Sequence, residues 1–443
     1  MALNSRYGYT ITMLDIQFIR DNPELVQEKS KQKGYDTDIT QLLGFDDKRR
    51  ELLKQVEDLR RQRNEVSDSS KGQKPSEEQI AKGREIKDQL ANLEHQLGSI
   101  DREFAASLKA VPNMPFDDVP IGASEDENVV AKEVGENKQL DFEPKSHWEL
   151  AEARMLIDKE RAAKVAGSRF AYIKGDLVLL QMSIIRYVMD MLGNEEVLKG
   201  IAAQAGLSIS SKPFTPVLPP LMIRTEPYEA MDRLEPQDDR YKIEGEELWL
   251  QGSAEHVLGS MHADEIFEEK DLPVRYLGYA TSFRKEAGTY GKDMEGIIRM
   301  HQFDKLEMES FTSKEAGLDE HMFMIAIQEY LLQQLELPYQ VIMKCTADIG
   351  KPNARGVDMD TWLPGQGKYR ETHTADYMTD YQARRLKTRV RRSTGEIELV
   401  HTNDATAFAL GRIMVAIIEN YQTQDGSIII PEVLKPYMGK EAI

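Results

Sequence analysis

The chain has 443 residues, with 57 lysines and arginines against 76 aspartates and glutamates, so its formal net charge is −19 at pH 7. This acidic balance excludes a generally basic nucleic-acid coat, although a local basic patch stays compatible with it. Hydrophobic residues make up 40% and charged residues 30% of the chain, as in globular proteins with a large core. The length favours two or three domains.

Membrane segments, leader segments and covalent cross-links are not evident in the sequence. It contains no apolar run long enough to span a bilayer, and residues 1–12 lack the apolar stretch of a signal peptide. The single cysteine, Cys345, excludes an internal disulfide and a thiolate-rich zinc site. We therefore expect a cytoplasmic protein without a membrane partner, in which residues 1–12 are an extension outside the chemistry.

Two long helices are predicted between about residues 40 and 110, because residues recur there at alternating spacings of four and three. A polar break at 67–77 contains Gly and Pro, which lets the chain reverse. The sequence therefore predicts an antiparallel coiled-coil hairpin. Its two stripes are Leu52, Val56, Leu59, Arg63 and Val66, and then Ile86, Leu90, Leu93, Leu97, Ile100 and Phe104.

The charge of this hairpin differs from that of the rest of the chain. Residues 46–75 contain nine basic and seven acidic side chains, a local inversion on an acidic protein. Two interpretations stay open: a solvated coiled coil that holds two subunits together, or an arm that grips a phosphate backbone. The basic residues that would contact nucleic acid are Arg49, Arg50, Lys54, Arg60, Arg61, Lys71 and Lys74.

The remaining chain has a different pattern. Residues 120–146 combine prolines with many acidic residues, which is typical of a linker. Strand-like segments are then grouped rather than interleaved with helices, so an α+β domain with an antiparallel sheet is favoured, and a final helix is predicted over about 405–421. The predicted boundaries are 1–12, 13–119, 120–146 and 147–443.

Candidate ligand-binding residues lie in 274–309, since the sequence has no glycine-rich phosphate-binding loop of the common types. A strand to Glu286 and a return strand from Ile297 are predicted. Alternation places Arg284 and Glu286 on one face, and it groups Arg299, His301, Phe303, Lys305 and Glu307 on one face of the return strand. Arginine can pair with phosphate and phenylalanine can stack on a base, so this mixture suits a nucleotide.

A second arginine, Arg412, lies on the predicted final helix among apolar residues. It is either part of an internal ion pair or a ligand-binding group.

Several segments resemble class II aminoacyl-tRNA synthetases. Motifs 2 and 3 are matched by FRKE at 283–286, IIRMHQFDKLE at 297–307, TDYQARRLK at 379–387 and ALGR at 409–412. VLPPLM at 217–222 resembles motif 1, whose proline lies at the dimer interface. Over essentially all of 13–443 the chain is similar to the seryl-tRNA synthetase family, including HWEL at 147–150, RAAKVAGSRF at 161–170 and the ending at 419–439.

The resemblance implies an α+β fold in which a long antiparallel α-helical coiled-coil hairpin precedes an antiparallel-sheet class II catalytic domain. It also implies ATP-dependent activation of L-serine to seryl-adenylate and transfer of the seryl group to tRNA(Ser), with tRNA(Sec) as a further acceptor left open. ATP and Mg²⁺ would be the cofactors, the chain would form a homodimer, and DNA would not be a partner. Two alternatives remain, a relative that loads a carrier protein and a catalytically decayed coiled-coil RNA-binding protein.

The resemblance also implies roles for individual residues. Arg284 would contact the ATP α-phosphate, Glu286 the adenine edge, Phe303 the adenine ring and Arg412 the terminal phosphate, with Arg284 and Arg412 as the catalytic pair. Mg²⁺ would be placed by Glu371 and Thr374. The full nucleotide set is Arg284, Lys285, Glu286, Met300, Phe303, Glu371, Thr372, His373, Thr374 and Arg412. The serine set is Ser253, Ala254, Glu255, Arg284, Glu307, Thr402 and Thr406.

Three positions depart from the family pattern. Ser253 stands where the family has threonine, and THTADY at 372–377 replaces a serine-rich segment. NDAT at 403–406 replaces Leu-Asn-Gly-Ser, so Asp404 could bind substrate or cap the following helix through its carboxylate.

Overall fold

The computed structural model describes residues 14–69, 76–137, 140–287, 293 and 295–443. The chain divides into two compact units, a helical unit within Thr10–Met114 and a mixed unit over Pro115–Ile443. The predicted extension 1–12 lies outside the described residues. No helix in the described ranges is long and apolar enough to cross a membrane.

The helical unit is dominated by a hairpin of two long helices. Its helices are α1 (Ile16–Asp21), α2 (Pro23–Gln32), α3 (Ile39–Ser69) and α4 (Glu77–Ala110). A capping box at Ser76 and Gln79 satisfies backbone donors at the start of α4. The ion pairs Arg49–Asp101 and Arg60–Glu94 run in opposite order along the two helices, which makes the hairpin antiparallel.

The seam between α3 and α4 uses most of the predicted apolar stripe. Val56, Ile86 and Leu90 are buried, and leucines and a valine of both stripes pack around them. Arg63, which the spacing places in the seam, is instead exposed. The prediction was wrong at this position because a guanidinium gains more from water than from an apolar contact.

The mixed unit contains ten α-helices and fifteen strands in the described ranges. Its helices are α5 (His147–Ala153), α6 (Lys159–Ala166), α7 (Asp176–Leu192), α8 (Glu195–Gln204), α9 (Thr225–Ala230), α10 (Glu255–Gly259), α11 (Gly317–Gln334), α12 (Tyr381–Leu386), α13 (Leu410–Asn420) and α14 (Lys435–Met438). Its strands are β1 (Val129–Val134), β2 (Ile157–Asp158), β3 (Tyr172–Ile173), β4 (Thr215–Val217), β5 (Met222–Arg224), β6 (Leu248–Leu250), β7 (Ile266–Glu268), β8 (Val274–Phe283), β9 (Gln302–Thr312), β10 (Tyr339–Met343), β11 (Arg355–Leu363), β12 (Lys368–Thr379), β13 (Arg389–Arg391), β14 (Ile397–Leu399) and β15 (His401–Ala409).

The main sheet has eight strands in the order β1-β10-β11-β12-β15-β9-β8-β4. Every neighbouring pair is antiparallel except β4 with β8, which confirms the predicted antiparallel α+β architecture. Helices α7, α11 and α13 pack against this sheet and form the largest hydrophobic core with it. The sheet thereby holds β9, β12 and β15 side by side as a rigid floor.

Two segments differ from their predicted structure. Strand β1 lies within 120–146, the segment predicted as a linker, and pairs with β10 at the sheet edge. The final helix begins at Leu410 rather than near 405, because β15 continues to Ala409. Residues 405–409 include three alanines, which favour a helix, but pairing with β9 and β12 keeps this stretch in the sheet and overrides that local preference.

Candidate active site

A cleft of about 670 Å³ opens where β9, β12 and the start of α13 meet. Arg284, which follows β8, and Arg412, on the first turn of α13, both line it. The two arginines therefore converge on a single cavity. The lining residues are Arg284, Glu286, Ile297, Ile298, Arg299, Met300, Phe303, Lys305, Glu371, Thr372, Thr374, Thr406, Ala409, Gly411 and Arg412.

Arg284 is held by its backbone and by its side chain. Its N–H donates to the carbonyl of His301 at 3.0 Å, and its Nε donates to the carbonyl of Gly252 at 2.9 Å. Its guanidinium lies 5.3 Å from the centre of the Phe303 ring. A cation and an aromatic face are thus fixed next to each other on the cleft floor.

Glu286 and Arg299 form an ion pair in the cleft, with Arg299 Nη1 2.6 Å from Glu286 Oε2. Alternation predicted that both would face this side, and both line the cavity. The return strand, however, begins at Gln302 and not at Ile297 as predicted. Residues 297–300 form turns, which lets four consecutive residues line the cleft where a strand would present every second one.

Arg412 and Glu371 close the opposite side of the cleft. Arg412 Nη1 donates to the backbone carbonyl of Glu371 at 2.9 Å and to its Oε1 at 2.8 Å. The Glu371 side chain is 50% exposed, and although partial desolvation in the cleft would raise its pKa, the cations of Arg412 and Lys344 hold that pKa below its usual value. The pair stays charged, so Arg412 forms the ion pair that its sequence context allowed, and it also lines the cleft.

A β-bulge determines which residues of β12 face the cleft. Glu371 pairs with Asp360 and His373 with Met359, so Thr372 is an extra residue in β12. Glu371, Thr372 and Thr374 line the cavity, whereas His373 is buried and packs 5.3 Å from the Phe408 ring. Burial lowers the pKa of His373 to about 3. Of the predicted nucleotide set, His373 is therefore a residue that the structure places outside the cleft lining.

Lys285 also lies outside the cleft lining. Its N–H donates to the carbonyl of Asp239 at 3.1 Å, and its Nζ lies 5.5 Å from the centre of the Tyr241 ring. This lysine therefore contacts the segment around Asp239 and Tyr241 and not the cleft.

A buried polar cluster continues from the cleft along β9. Lys305 Nζ lies 2.5 Å from Glu307 Oε2, 3.0 Å from Ser253 Oγ and 3.6 Å from Glu255 Oε2. Ser253 Oγ donates in turn to Glu255, which begins α10 directly after Ala254. Burial would lower the pKa of Lys305, but Glu307 and Glu255 raise it, so the lysine stays cationic. Burial raises the pKa of Glu307 well above its usual range.

Strand β15 faces this cluster in register with β9. Thr406 lies opposite Glu307 and lines the cleft. Thr402 lies opposite Phe311, farther along the strand, and its Oγ1 is 3.4 Å from Gln382 Oε1. Of the two threonines in the predicted serine set, the structure therefore brings only Thr406 to the cleft.

Asp404 is in the middle of β15 and does not cap a helix. Helix α13 begins at Leu410 with Ala409 as its N-cap, so the capping interpretation was wrong. Asp404 instead lies opposite Glu309, with Oδ2 3.5 Å from Arg233 Nη2. Burial, together with Glu255 and Asp376, raises the pKa of Asp404 to about 8, although Arg233 lowers it.

Three residues of the site had no role assigned from the sequence. Alternation placed Lys305 on the correct face of β9, but no function was assigned to it. Glu309 lies on the same face, because it is two residues after Glu307 on the same strand. Both oxygens of Glu309 lack a hydrogen-bond partner within the described residues. Arg233 lies in irregular chain after α9, where no periodicity could have revealed it.

The predicted metal ligands lie beside further carboxylates. In register, Asp358 faces Thr374 and Asp360 faces Glu371. Burial and the charge of Glu371 raise the pKa of Asp358 to about 7 and that of Asp360 to about 6, while Lys344 opposes the first shift and Arg412 the second. Across the described ranges, no group of three or more His, Cys, Asp or Glu side chains is arranged to hold a metal ion by itself.

Most of the predicted tRNA-binding residues form ion pairs within the helical unit. Arg50 pairs with Asp46 at 3.0 Å and Arg61 with Asp58 at 3.0 Å, in addition to the two pairs that join α3 and α4. Lys54 is exposed. Lys71 and Lys74 lie outside the described residues.

Family models match both units. Residues 239–421 match the tRNA synthetase class II core domain (G, H, P, S and T), and residues 13–115 match the seryl-tRNA synthetase N-terminal domain. A serine--tRNA ligase of Exiguobacterium sibiricum is 38% identical over 434 residues, covering 96% of this chain and 98% of that relative. One from Nitrosopumilus maritimus is 37% identical over 435 residues, covering 97% and 99%.

Solved structures give the same result. The seryl-tRNA synthetase from Pyrococcus horikoshii complexed with ATP has a TM-score of 0.85 at 37% identity, covering 97% of this chain and 99% of that one. The cytoplasmic serine-tRNA ligase from Naegleria fowleri in complex with AMP has a TM-score of 0.82 at 27% identity, covering 97% and 98%. The chain belongs to the seryl-tRNA synthetase family of class II aminoacyl-tRNA synthetases.

Proposed function

We propose that the chain activates L-serine with ATP and transfers the seryl group to the 3′ end of tRNA(Ser). The observation that carries this proposal is the convergence of Arg284 and Arg412 on one cleft, which continues into the buried cluster around Glu307. Relatives of full length are named serine--tRNA ligases, and two solved relatives hold ATP or AMP. Loading of a carrier protein is not favoured, because the long helical hairpin is present.

In the activation step, the serine carboxylate attacks the α-phosphorus of ATP in line and pyrophosphate leaves. The bond to serine oxygen forms as the bond to the bridging oxygen breaks, so the protein's task is positioning and charge stabilisation. Arg284 would contact the α-phosphate, where negative charge develops, and Arg412 would contact the leaving phosphates. No general base is required, since a carboxylate is already an anion at neutral pH.

The adenine would stack on the Phe303 ring beside Met300, with Glu286 accepting from its amino group. Phe303 offers a planar apolar face on the cleft floor, and the Glu286–Arg299 pair fixes the direction of the carboxylate. Thr372 and Thr374 would add hydroxyls on the opposite wall.

Serine would be recognised by Glu307 and Thr406, which face each other across β9 and β15, with Ser253 and Glu255 near its amino group. An analogue without the hydroxyl leaves buried polar groups unpaired, and such sites reject it by roughly 10⁴. Threonine must be excluded by its extra methyl, which supplies only about 1–3 kcal/mol. Discrimination should therefore be stronger against alanine than against threonine.

The donors on β11 and β12 fit Mg²⁺ bound together with a nucleotide. Magnesium takes one or two carboxylates plus phosphate oxygens, and Glu371 with Asp358 or Asp360 supplies such carboxylates. Burial and the charge of Glu371 raise the pKa values of Asp358 and Asp360, and a bound cation would lower both again. Glu371 and Thr374 would hold the ion, and the ion would supply charge neutralisation at the phosphates.

The helical unit would bind the tRNA through its backbone, using Arg49, Arg50, Lys54, Arg60, Arg61, Lys71 and Lys74. Such recognition reads shape and phosphate positions rather than sequence. The segment VLPPLM at 217–222 would contribute to a homodimer, and we expect the protein to act in the cytoplasm. Leu218, Leu221 and Met222 in this segment are all exposed, and such a group of apolar side chains suits a subunit contact.

ATP–pyrophosphate exchange measured with serine, threonine, alanine and glycine tests the activation step. We expect exchange with serine, weaker exchange with threonine and the least with alanine and glycine. Exchange with none of the four would refute the activity, and a preference for another amino acid would refute the substrate. Charging of tRNA(Ser) with labelled serine then tests the transfer step.

A further inference from the structure

The segment HWEL at 147–150 takes no part in the proposed chemistry, yet its first residue is fully buried. His147 starts helix α5 and contacts two distant parts of the chain. Its backbone N–H and its Nδ1 lie 3.1 and 3.0 Å from Glu419 Oε1. Its Nε2 lies 3.2 Å from the backbone nitrogen of Ile297.

These partners determine the tautomer of the ring. The N–H of Ile297 can only donate, so Nε2 of His147 must be the acceptor. The ring proton is therefore on Nδ1, which donates to the carboxylate of Glu419. The imidazole thus connects a carboxylate to a backbone amide with a defined direction for each hydrogen bond.

Glu419 is itself fixed from several sides. Its Oε2 accepts from the N–H of Gly365 at 3.0 Å, and its side chain is fully buried on α13. Arg412 lies two turns earlier on the same helix. The helix that carries Arg412 to the cleft therefore also carries the anchor of His147.

Ile297 is the first of the four turn residues that line the cleft, Ile297–Met300. The chain before it passes very close to the histidine: Gly296 has a φ of +67°, and a Cβ at this residue would lie 1.7 Å from His147 Nε2. A glycine is required here both for the backbone conformation and for the contact. The imidazole thus contacts the turn at its first residue, Ile297, and at the glycine before it.

We propose that His147 is a positioning residue for the nucleotide. By accepting the N–H of Ile297, it holds the turn Ile297–Met300 in place, and with it the Glu286–Arg299 pair and the wall of the cleft. The inference rests on the proposed function for the identity of the ligand as ATP. It assigns to His147 no contact with the substrate.

Two substitutions of similar size separate the two hydrogen bonds of the ring. In His147→Asn the amide nitrogen can replace Nδ1 and donate to Glu419, but no atom reaches Ile297. In His147→Gln the amide oxygen can replace Nε2 and accept from Ile297. We expect His147→Asn to weaken ATP binding by about tenfold, and His147→Gln to weaken it by less than about threefold. Isothermal calorimetry with ATP alone, on the full chain, measures both.

Amide hydrogen exchange gives a second readout, because a change in overall stability would affect peptides throughout the protein and not only the one that contains Ile297. The peptide containing Ile297 should exchange faster in His147→Asn than in His147→Gln, while peptides of the core strand β11 exchange equally in both. Equal ATP affinity and equal exchange at Ile297 in the two variants would overturn the proposal.

Gly296→Ala provides a test that leaves His147 in place and stays available if an imidazole replacement fails to fold. Its matched control is Gly206→Ala, because Gly206 has a φ of +69° and a Cβ added there would meet nothing within 4 Å. Both variants carry the same backbone strain, so a loss of ATP affinity confined to Gly296→Ala supports the contact with His147. Equal affinity in the two variants contradicts it. Wild-type ATP binding without exchange for any amino acid would instead count against the proposed function alone.

Discussion

Arg412 and Glu371 join the start of helix α13 to strand β12 at the rim of the cleft. A single nitrogen, Nη1 of Arg412, donates to both the backbone carbonyl and the carboxylate of Glu371. The other terminal guanidinium nitrogen, Nη2, has no role in this contact, so the arginine can hold its position and still present donors to a phosphate.

Replacing Arg412 by lysine should therefore slow activation strongly even though the positive charge is kept. Lysine keeps the charge but cannot donate to Glu371 and a phosphate from one planar group. We expect ATP–pyrophosphate exchange at saturating serine to fall at least about 100-fold. Glu371→Gln, which keeps the carbonyl contact, should cost less. Exchange in Arg412→Lys within about threefold of wild type would contradict a role at the phosphates.

Glu307→Ala should lower serine activation while ATP binding stays nearly unchanged. The carboxyl of Glu307 is buried opposite Thr406 and would contact the serine hydroxyl, so its loss should raise KM for serine by about 100-fold or more. Exchange kinetics measure this KM, and calorimetry measures ATP binding.

Glu309→Ala is the matched control for Glu307→Ala. Both residues are fully buried on the same face of β9, but Glu307 lies opposite Thr406, which lines the cleft, whereas Glu309 lies opposite Asp404, which does not. A similar cavity is created in each case, so a general loss of packing would affect both variants equally. The same KM for serine in the two variants would remove Glu307 from the pocket.

Charge reversal on α3 should affect tRNA charging and leave adenylate formation intact. In Lys54→Glu with Arg61→Glu, two exposed cations become anions, and we expect kcat/KM for tRNA to fall at least about tenfold at moderate salt. ATP–pyrophosphate exchange should be unchanged. The control is Lys82→Glu with Lys87→Glu on α4, which makes the same change in net charge. Equal losses in both double variants would indicate a general electrostatic effect.

Asp404→Asn should change how stability depends on pH. Because the pKa of Asp404 is raised to about 8 in the folded protein, the folded state holds a proton there that the unfolded state has released above about pH 4. This group's contribution to the free energy of unfolding therefore falls as pH rises from about 4 to 8. The amide has no such titration, so the variant should gain stability relative to wild type across this range.

Urea unfolding of both proteins at about pH 5.5, 7 and 8 measures the difference. The change of this difference with pH is what tests the prediction. Losing the contact with Arg233 would change the free energy of unfolding by the same amount at all three pH values. A difference in unfolding free energy that is the same at all three pH values would show that Asp404 is ionised throughout.

The sequence predicted the parts of the site that follow regular periodicity. Alternation along β9 placed Phe303, Lys305 and Glu307 on one face, and the spacing of four and three placed the seam of α3 and α4. These patterns are visible because each side chain's direction depends only on its own strand or helix. Arg63 was the exception, because the spacing predicts the side of the helix on which a residue lies but not whether a charged side chain there is buried.

The remaining parts depend on contacts between distant segments. Arg233 reaches Asp404 from irregular chain, and His147 reaches Ile297 from another helix, so neither has a local signal. Thr402 and Thr406 show the same limit. Both lie on β15 four positions apart, but the cleft reaches Thr406 and does not extend along the strand to Thr402.

The extra residue in β12 has a consequence for how this wall can change. Glu371 and Thr374 are three positions apart, so an unbroken strand would direct them to opposite faces. Deleting Thr372 would restore perfect pairing with β11 and would improve the sheet, at the expense of a side chain that lines the cleft. Deletion would leave Glu371 and Thr374 two positions apart and so on the same face. The extra residue thus adds one side chain, Thr372, to this wall of the cleft, and a repair that made the strand regular would remove that side chain.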